Sequence, residues 1–541
     1  MRLQKRGLLW GLAMIALAAL PARGEEPVDK TIKMPARESY RKPFDTWNNS
    51  ADQEADDSEF QRHVKITVSP AAFPYPLLKY RLNVYSTELE FGNAAPLYMQ
   101  AWAEYEKNYA EAEKNWYASK EFLELKKSGA SEDKILGELF RAVPLEPAWP
   151  NGSYPKSISP AEEAKFYKSM DLVYQLLEKA SRMRDADWSY CMEYKGITTT
   201  IEHVQKMRGL ARYVCGKADW EIRNGGYEDA VRTLRIGIAM ANHVAKANFP
   251  TLINSLVGIA IQGIMQDLIM TMVSQPDAPN FYPALTQVIV PADTFEYGLQ
   301  GEQLCFFAAQ NAMQLFEHVN QASPEECRDR LEKIVGTFLQ AQTNQWTAPP
   351  EKSKISAAMT VVCTLCFPQG RDRLVAEGRK ADEIEKLSVY QVVTPYVLEE
   401  IKAAYDRMLV MARFPMGSSH TAVTFEGPNG GKIQSPADIH LMLLIPSLDA
   451  AKRAYTRQSQ TYELLKIIEA IRYYAAVHDG RLPESLGAIK EIVIATDDPM
   501  TGKPFGYKVE GRTAMIDYTH VAKCRLEITV EDPAGSHKPG K

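Results

Sequence analysis

Beyond residue 93, apolar side chains recur three and four positions apart over long stretches, the spacing that lines one face of a helix. The clearest run covers residues 198–273, where Leu210, Val214, Ala218, Gly225, Tyr227, Ala230, Leu234 and Gly237 fit a helix, a tight turn at Asn224-Gly225-Gly226 and an antiparallel return helix. Small residues at Ala218, Ala230 and Gly237 let the pair approach while Tyr227 and Leu234 fill the gap. Two helix starts carry capping boxes: Ser159-Pro160-Ala161-Glu162 and Ser323-Pro324-Glu325-Glu326 each offer a hydroxyl cap, a first-turn proline and a glutamate that reaches back. Further helices are predicted over residues 291–321, 324–345, 395–413 and 450–478, with a loop rich in glycine and serine at 417–431.

Residues 251–273 form the most apolar predicted helix after the N-terminal run, interrupted by Asn254, Gln262, Gln266 and Asp267. Placing a carboxylate in a bilayer costs about 3 kcal/mol even on lenient scales, so this helix is expected in a protein core and not across a membrane.

The two ends read differently. Arg2, Lys5 and Arg6 precede an apolar run of about 14 residues, then Pro21 and Ala22-Arg23-Gly24, the three regions of a secretory signal peptide cleaved after Gly24. The run is shorter than the roughly 20 residues that span a hydrocarbon core. Residues 25–92 are expected to be a polar N-terminal arm with little regular structure. At the other end, Leu464, Ile467, Ile468, Ile471 and Tyr474 stripe a helix that stops at Asp479-Gly480. After the turn at Arg481-Leu482-Pro483 and a short helix, Phe505, Tyr507 and Val509 alternate before Glu510-Gly511, and Ala514, Ile516 and Tyr518 alternate after it, predicting a small hairpin. The expected division is a signal peptide at 1–24, the arm at 25–92, a helical body at 93–445, a long helix plus hairpin module at 446–530 and a flexible tail at 531–541.

The hairpin at residues 198–237 resembles one tetratricopeptide-type unit, which buries its apolar face by stacking on neighbours. The predicted fold class is therefore mainly α: stacked antiparallel helices, tetratricopeptide-like or a helical bundle, with a small C-terminal α+β module. The segment from Gly480 through Pro483 and Asp498-Pro499 to Phe505-Gly506-Tyr507 resembles the globular part of type II secretion major pseudopilins, which implies a place in a secretion or pilus-like assembly. A pseudopilin carries this module directly behind its own N-terminal helix and has a glycine-rich calcium loop, and both are missing here. The chain as a whole is similar to uncharacterised exported proteins typical of planctomycete-like bacteria. That likeness rests on Asn93-Ala94-Ala95-Pro96-Leu97-Tyr98, Asp187-Trp188, residues 203–230, Leu256-Val257-Gly258-Ile259-Ala260-Ile261 and the C-terminal turn just described, and it implies no activity.

The net charge of −5 becomes more negative without Arg2, Lys5, Arg6 and Arg23, which argues against a nucleic-acid partner. Seven cysteines are too few and too scattered for a disulfide-dense scaffold, and their odd number leaves at least one unpaired within the chain.

Cys363-Thr364-Leu365-Cys366 is the one redox-type spacing, but its flanks Val361, Val362 and Phe367 are apolar and disfavour thiolate. The expected readings are buried thiols, a local disulfide or a redox pair, in that order. Gly427-Pro428-Asn429-Gly430-Gly431-Lys432 is one residue short of a phosphate loop and is rejected as one. Ser418-Ser419-His420 lacks an identifiable acid and oxyanion hole. His203, Arg208, Glu202 and Arg212 either line a pocket for an anion or form a solvated face, the latter preferred. Asp187-Trp188 is read as a helix-boundary anchor, and Asp497-Asp498 as turn caps and not a calcium site. No catalytic residue, cofactor site or metal site is assigned. The expected role is noncatalytic binding of another protein in the periplasm or cell envelope. Its rivals are the secretion-assembly role and a hydrolase or redox enzyme sited in the helical body.

Overall fold

A computed structural model describes residues 62–129, 160–189, 201–246, 251–288, 296–301, 318–343, 351–412, 436–519 and 523–532. The signal-peptide segment, Gly427 to Lys432 and Ser418 to His420 lie outside them.

The chain is mostly helical, with a small sheet region at its C-terminal end. A strand β1 (Arg62–Val68) comes first, followed by a turn-rich segment, a short strand β2 (Glu90–Asn93) and the helices α1 (Ala94–Tyr117) and α2 (Lys120–Lys127). Helices α3 (Pro160–Ser169) and α4 (Asp171–Ser181) lead to β3 (Met183–Asp185), which pairs in parallel with β2. Next come α5 (Glu202–Arg223), α6 (Tyr227–Ala245), α7 (Leu252–Val273) and a single turn α8 (Tyr282–Leu285). The glycine turn between α5 and α6 forms as expected, with Gly225 in the left-handed region at φ 74°.

A second group comprises α9 (Pro324–Thr343), α10 (Lys352–Ala376), α11 (Ala381–Ile384) and α12 (Val389–Ala412). The expected cap of α9 is present: Ser323 Oγ accepts the Glu326 N–H at 3.2 Å, and Glu326 accepts the Ser323 N–H at 2.7 Å. A second box of the same kind, Ser388 with Gln391, starts α12 at Val389. The expected start at Pro395 is thus too late, and Pro395 stands inside the helix.

The long helix α13 (Pro436–Val477) begins before the predicted residue 450 and joins two cores. Its Ala451 packs with Leu331, Ile334, Val393, Val397 and Ile401 of the second group. Farther along, Tyr462, Leu464, Leu465, Ile467, Ile468 and Ile471 enter the main core with α5, α6 and α7. One stripe was expected there; instead α13 is buried nearly all round, because α7 and α8 pack on it as well as the sheet. The chain leaves α13 through Asp479 and Gly480, both at positive φ.

The sheet corrects two expectations. It has four strands in the order β1-β8-β7-β6, formed by β6 (Gly506–Glu510), β7 (Thr513–Thr519), β8 (Lys523–Val530) and β1, with the two-residue strands β4 (Asp497–Asp498) and β5 (Lys503–Pro504) beside it. The predicted hairpin is β6–β7, with Val509 opposite Ala514 and Tyr507 opposite Ile516. Strand β8 extends it, and β1, from the supposedly unstructured arm, adds in parallel with Val64 opposite Leu526 and Val68 opposite Val530. Val64, Ile66 and Val68 are buried, each contributing about 1.5–3 kcal/mol over exposure. This strand needs its partner at the far end of the chain, so its alternation reads as isolated when only neighbours are considered.

Helix α7 alone among the described residues is long and apolar enough to cross a membrane, and 72% of its most apolar window is buried inside the protein. Its polar side chains have partners in the core: Gln262 donates to the Tyr462 hydroxyl at 3.1 Å and Gln266 to the Gln458 carbonyl at 2.8 Å, both on α13.

Candidate functional site

Motifs that the sequence separates by about a hundred residues meet around Trp188. Asn93 ends β2 and caps α1: its side-chain oxygen accepts the N–H groups of Ala95 at 3.0 Å and Asp187 at 2.7 Å, and its amide donates to the Asp187 carbonyl at 3.0 Å. That clamp fixes the segment carrying Trp188. The indole lies nearly parallel to the rings of His203, at 4.8 Å between centroids, and Tyr98, at 6.0 Å. Its N–H reaches the His243 carbonyl at 3.2 Å. Asp187-Trp188, expected at a helix boundary, instead follows β3, where these contacts hold Trp188 in the core.

The hydrogen bonds set the tautomers. His243 faces the Met183 carbonyl through Nε2 at 3.0 Å, so Nε2 carries the proton and Nδ1 accepts from the Tyr98 hydroxyl at 2.8 Å. Asn254, in the first turn of α7, donates to His203 Nε2 at 3.2 Å and takes the Thr251 hydroxyl at 2.6 Å on its oxygen. His203 Nδ1 therefore holds the proton, in a buried position with no acceptor among the described residues. Burial pulls both imidazoles down to about 4, opposed at His243 by the Met183 carbonyl and Asp185 and reinforced at His203 by Lys206. Neutral rings with engaged basic nitrogens offer no general base to a substrate.

His203 does not share a face with Arg208. The two lie roughly 140° apart around α5 at 3.6 residues per turn, and Glu202 is exposed while His203 is buried. Burial, and after it the charge of Arg212, lowers the affinity of Arg208 for its proton. The anion pocket that would have used all four residues is not assembled.

A charged cluster that sequence reading passed over lies at the other end of α5. Lys217 reaches Glu221 at 2.8 Å, and Arg223 joins Asp219 at 2.8 Å to Glu163 of α3 at 2.5 Å. Glu221 also accepts the Thr233 hydroxyl of α6 at 2.6 Å, and Lys217 stands over the Tyr174 ring at 4.7 Å. Burial raises the Glu221 carboxyl against these stabilising contacts. The spacings Lys217 to Glu221 and Asp219 to Arg223 were the legible signal; the cluster fastens α5 to α3 and α6.

Cys363 and Cys366 stand in the middle of α10 as thiols, away from the helix N-terminus that would favour thiolate. Burial pushes the Cys363 thiol up. Asp498 is buried and caps its turn: it accepts the Met500 N–H at 2.8 Å, the Thr519 N–H at 3.0 Å and the Gln460 amide at 2.7 Å. Asp497 is exposed. Among the described residues no three His, Cys, Asp or Glu side chains are grouped to hold a metal ion.

Surface chemistry of another kind is found between β1 and β2. Phe73 stacks on Tyr473 of α13 at 4.0 Å and on Tyr282 at 5.9 Å, while the Ala71 N–H donates to the Arg472 carbonyl at 3.1 Å. Anchored there, the chain turns outward and holds Tyr75 in solvent at 96% exposure, with Leu77 and Leu78 beside it.

No protein-family model, curated protein or solved structure matches this chain.

Proposed function

We propose that this is an exported protein that works by binding another protein of the cell envelope and carries out no reaction. The observation that supports this most is the loop from residue 70 to 80. An exposed tyrosine flanked by leucines, on a loop tied to the core by an aromatic stack, presents apolar contact area with little ordering left to lose on binding. Meanwhile His203 and His243 are neutral and engaged in the packing around Trp188, and Cys363 stands in mid-helix with its thiol raised by burial.

For the body, we infer stacked antiparallel helices of tetratricopeptide-like or bundle type. The consecutive packing of α5, α6 and α7 supports it, as does Gly258, where a Cβ would come within 2.7 Å of the Ala241 carbonyl oxygen.

The test is a photo-crosslinking residue placed at Tyr75 of the full chain in its native envelope, with Glu124 of α2 as an exposed control. A discrete protein adduct at position 75 that is missing at 124 is expected. No adduct, or the same smear at both, contradicts the reading.

A second reading, an accessory part in a secretion or pilus-like assembly, draws on the C-terminal turn: Gly480 at φ 76°, Pro483 accepting the Tyr507 hydroxyl at 2.9 Å, and the hairpin that follows. Crosslinks from residues 462–518 to an assembly protein favour it.

A further inference from the structure

Helix α10 is apolar on two opposite faces. Met359, Cys366, Gly370 and Leu374 are buried, and Gly370 brings the helix so close to α12 that a Cβ there would stand 2.8 Å from the Val392 carbonyl oxygen. The opposite face is open to solvent, yet from Ile355 to Gly370 the helix carries no charge at all. Val361 is 56% exposed and Leu365 45%, with Ala357 and Pro368 exposed on the same side. The flanking hydroxyls add little polarity. Thr360 donates to the Ser356 carbonyl at 3.0 Å and Thr364 to the Thr360 carbonyl at 2.8 Å, so both are bonded back to their own helix.

Charged side chains stand at both ends of this face, among them Lys354, which also lies 3.5 Å from Glu351, and Asp372, next to the exposed Arg371. Lys354 and Asp372 are both exposed and stand nine residues to either side of position 363. At 3.6 residues per turn they share one azimuth, about 20° from Val361, and lie roughly 27 Å apart along the axis. Val361 and Leu365 straddle the same level. The stripe is therefore complementary to itself under a two-fold axis at residue 363: Val361 meets Leu365 of the second copy, and each Lys354 meets an Asp372. One helix face laid on another buries an area at the small end of protein interfaces, which fits a reversible dimer.

We propose that the protein self-associates through this face of α10 as a two-fold antiparallel helix pair, independently of the binding role argued above. Sedimentation equilibrium of the full exported chain up to about 100 μM is expected to show a concentration-dependent dimer, a range suited to a weak interface. Val361→Glu with Leu365→Glu should leave a monomer whose circular dichroism is unchanged, since both positions are exposed. Lys354→Asp should weaken the dimer about tenfold by setting like charges together twice, and adding Asp372→Lys in the same chain should restore it. A wild-type chain that stays monomeric overturns the proposal. So does a dimer indifferent to the glutamates, or a double charge swap no tighter than Lys354→Asp alone.

Discussion

His203 and His243 are held as neutral rings, and that choice has a pH signature. Both titrate near 4 in the folded protein, against an ordinary value of 6.5. Between those values the unfolded chain takes up protons that the native state refuses, so stability is full above about pH 6.5 and falls as the pH drops toward 4. An imidazole shifted this far contributes up to about 3 kcal/mol of that loss. Glu469 works the other way: burial raises its carboxyl despite Arg472, so its part of the stability declines as the pH rises above the ordinary carboxylate range. Urea unfolding at pH 7 and pH 5 separates these effects. The wild type should lose more stability on acidification than a His203→Gln variant, and equal losses would show that His203 does not titrate with folding.

Between elements, the buried pair of Glu469 and Arg472 does the joining. Arg472 contacts both Glu469 oxygens at 2.9 Å, and it donates to Ser69 after β1 at 2.9 Å and to Ala278 at 2.6 Å and Pro279 at 3.2 Å before α8. Asn280 completes the joint by donating to the carbonyls of Ala71 and Glu469. Arg472→Met leaves a buried carboxylate without its cation and should cost about 3–5 kcal/mol in chemical denaturation, with Glu469→Gln in the same chain recovering part of it. A cost below about 1 kcal/mol, the range of exposed pairs, would contradict this role. Elements whose signals were local were readable in advance. Ser323 and Glu326 announced α9, and Asn224-Gly225-Gly226 announced the turn into α6. Helix α10 was not, because apolar residues on two faces cancel the periodicity that marks an amphipathic helix. Strand β1 shows its alternation in Val64, Ile66 and Val68, but the partner that makes it a strand is 462 residues away. The Trp188 cluster failed to emerge for the same reason: Asn93, Tyr98, Asp187 and His203 were each conspicuous, and only tertiary packing joins them.

At the level of the whole molecule, strand β1 closes the C-terminal sheet, and α13 contributes to the two larger hydrophobic cores among the described residues. The C-terminal module is thus no detachable appendage. Removing it would open the main core, so its role is better probed by single exposed substitutions than by deletion. The proposed role places this body outside the cytoplasm, delivered by the first 24 residues. Fractionation of cells producing the native chain, with N-terminal sequencing of the recovered protein, tests that most directly. Recovery from the envelope or periplasm with Glu25 as the first residue is expected; recovery from the cytosol with Met1 in place would contradict export.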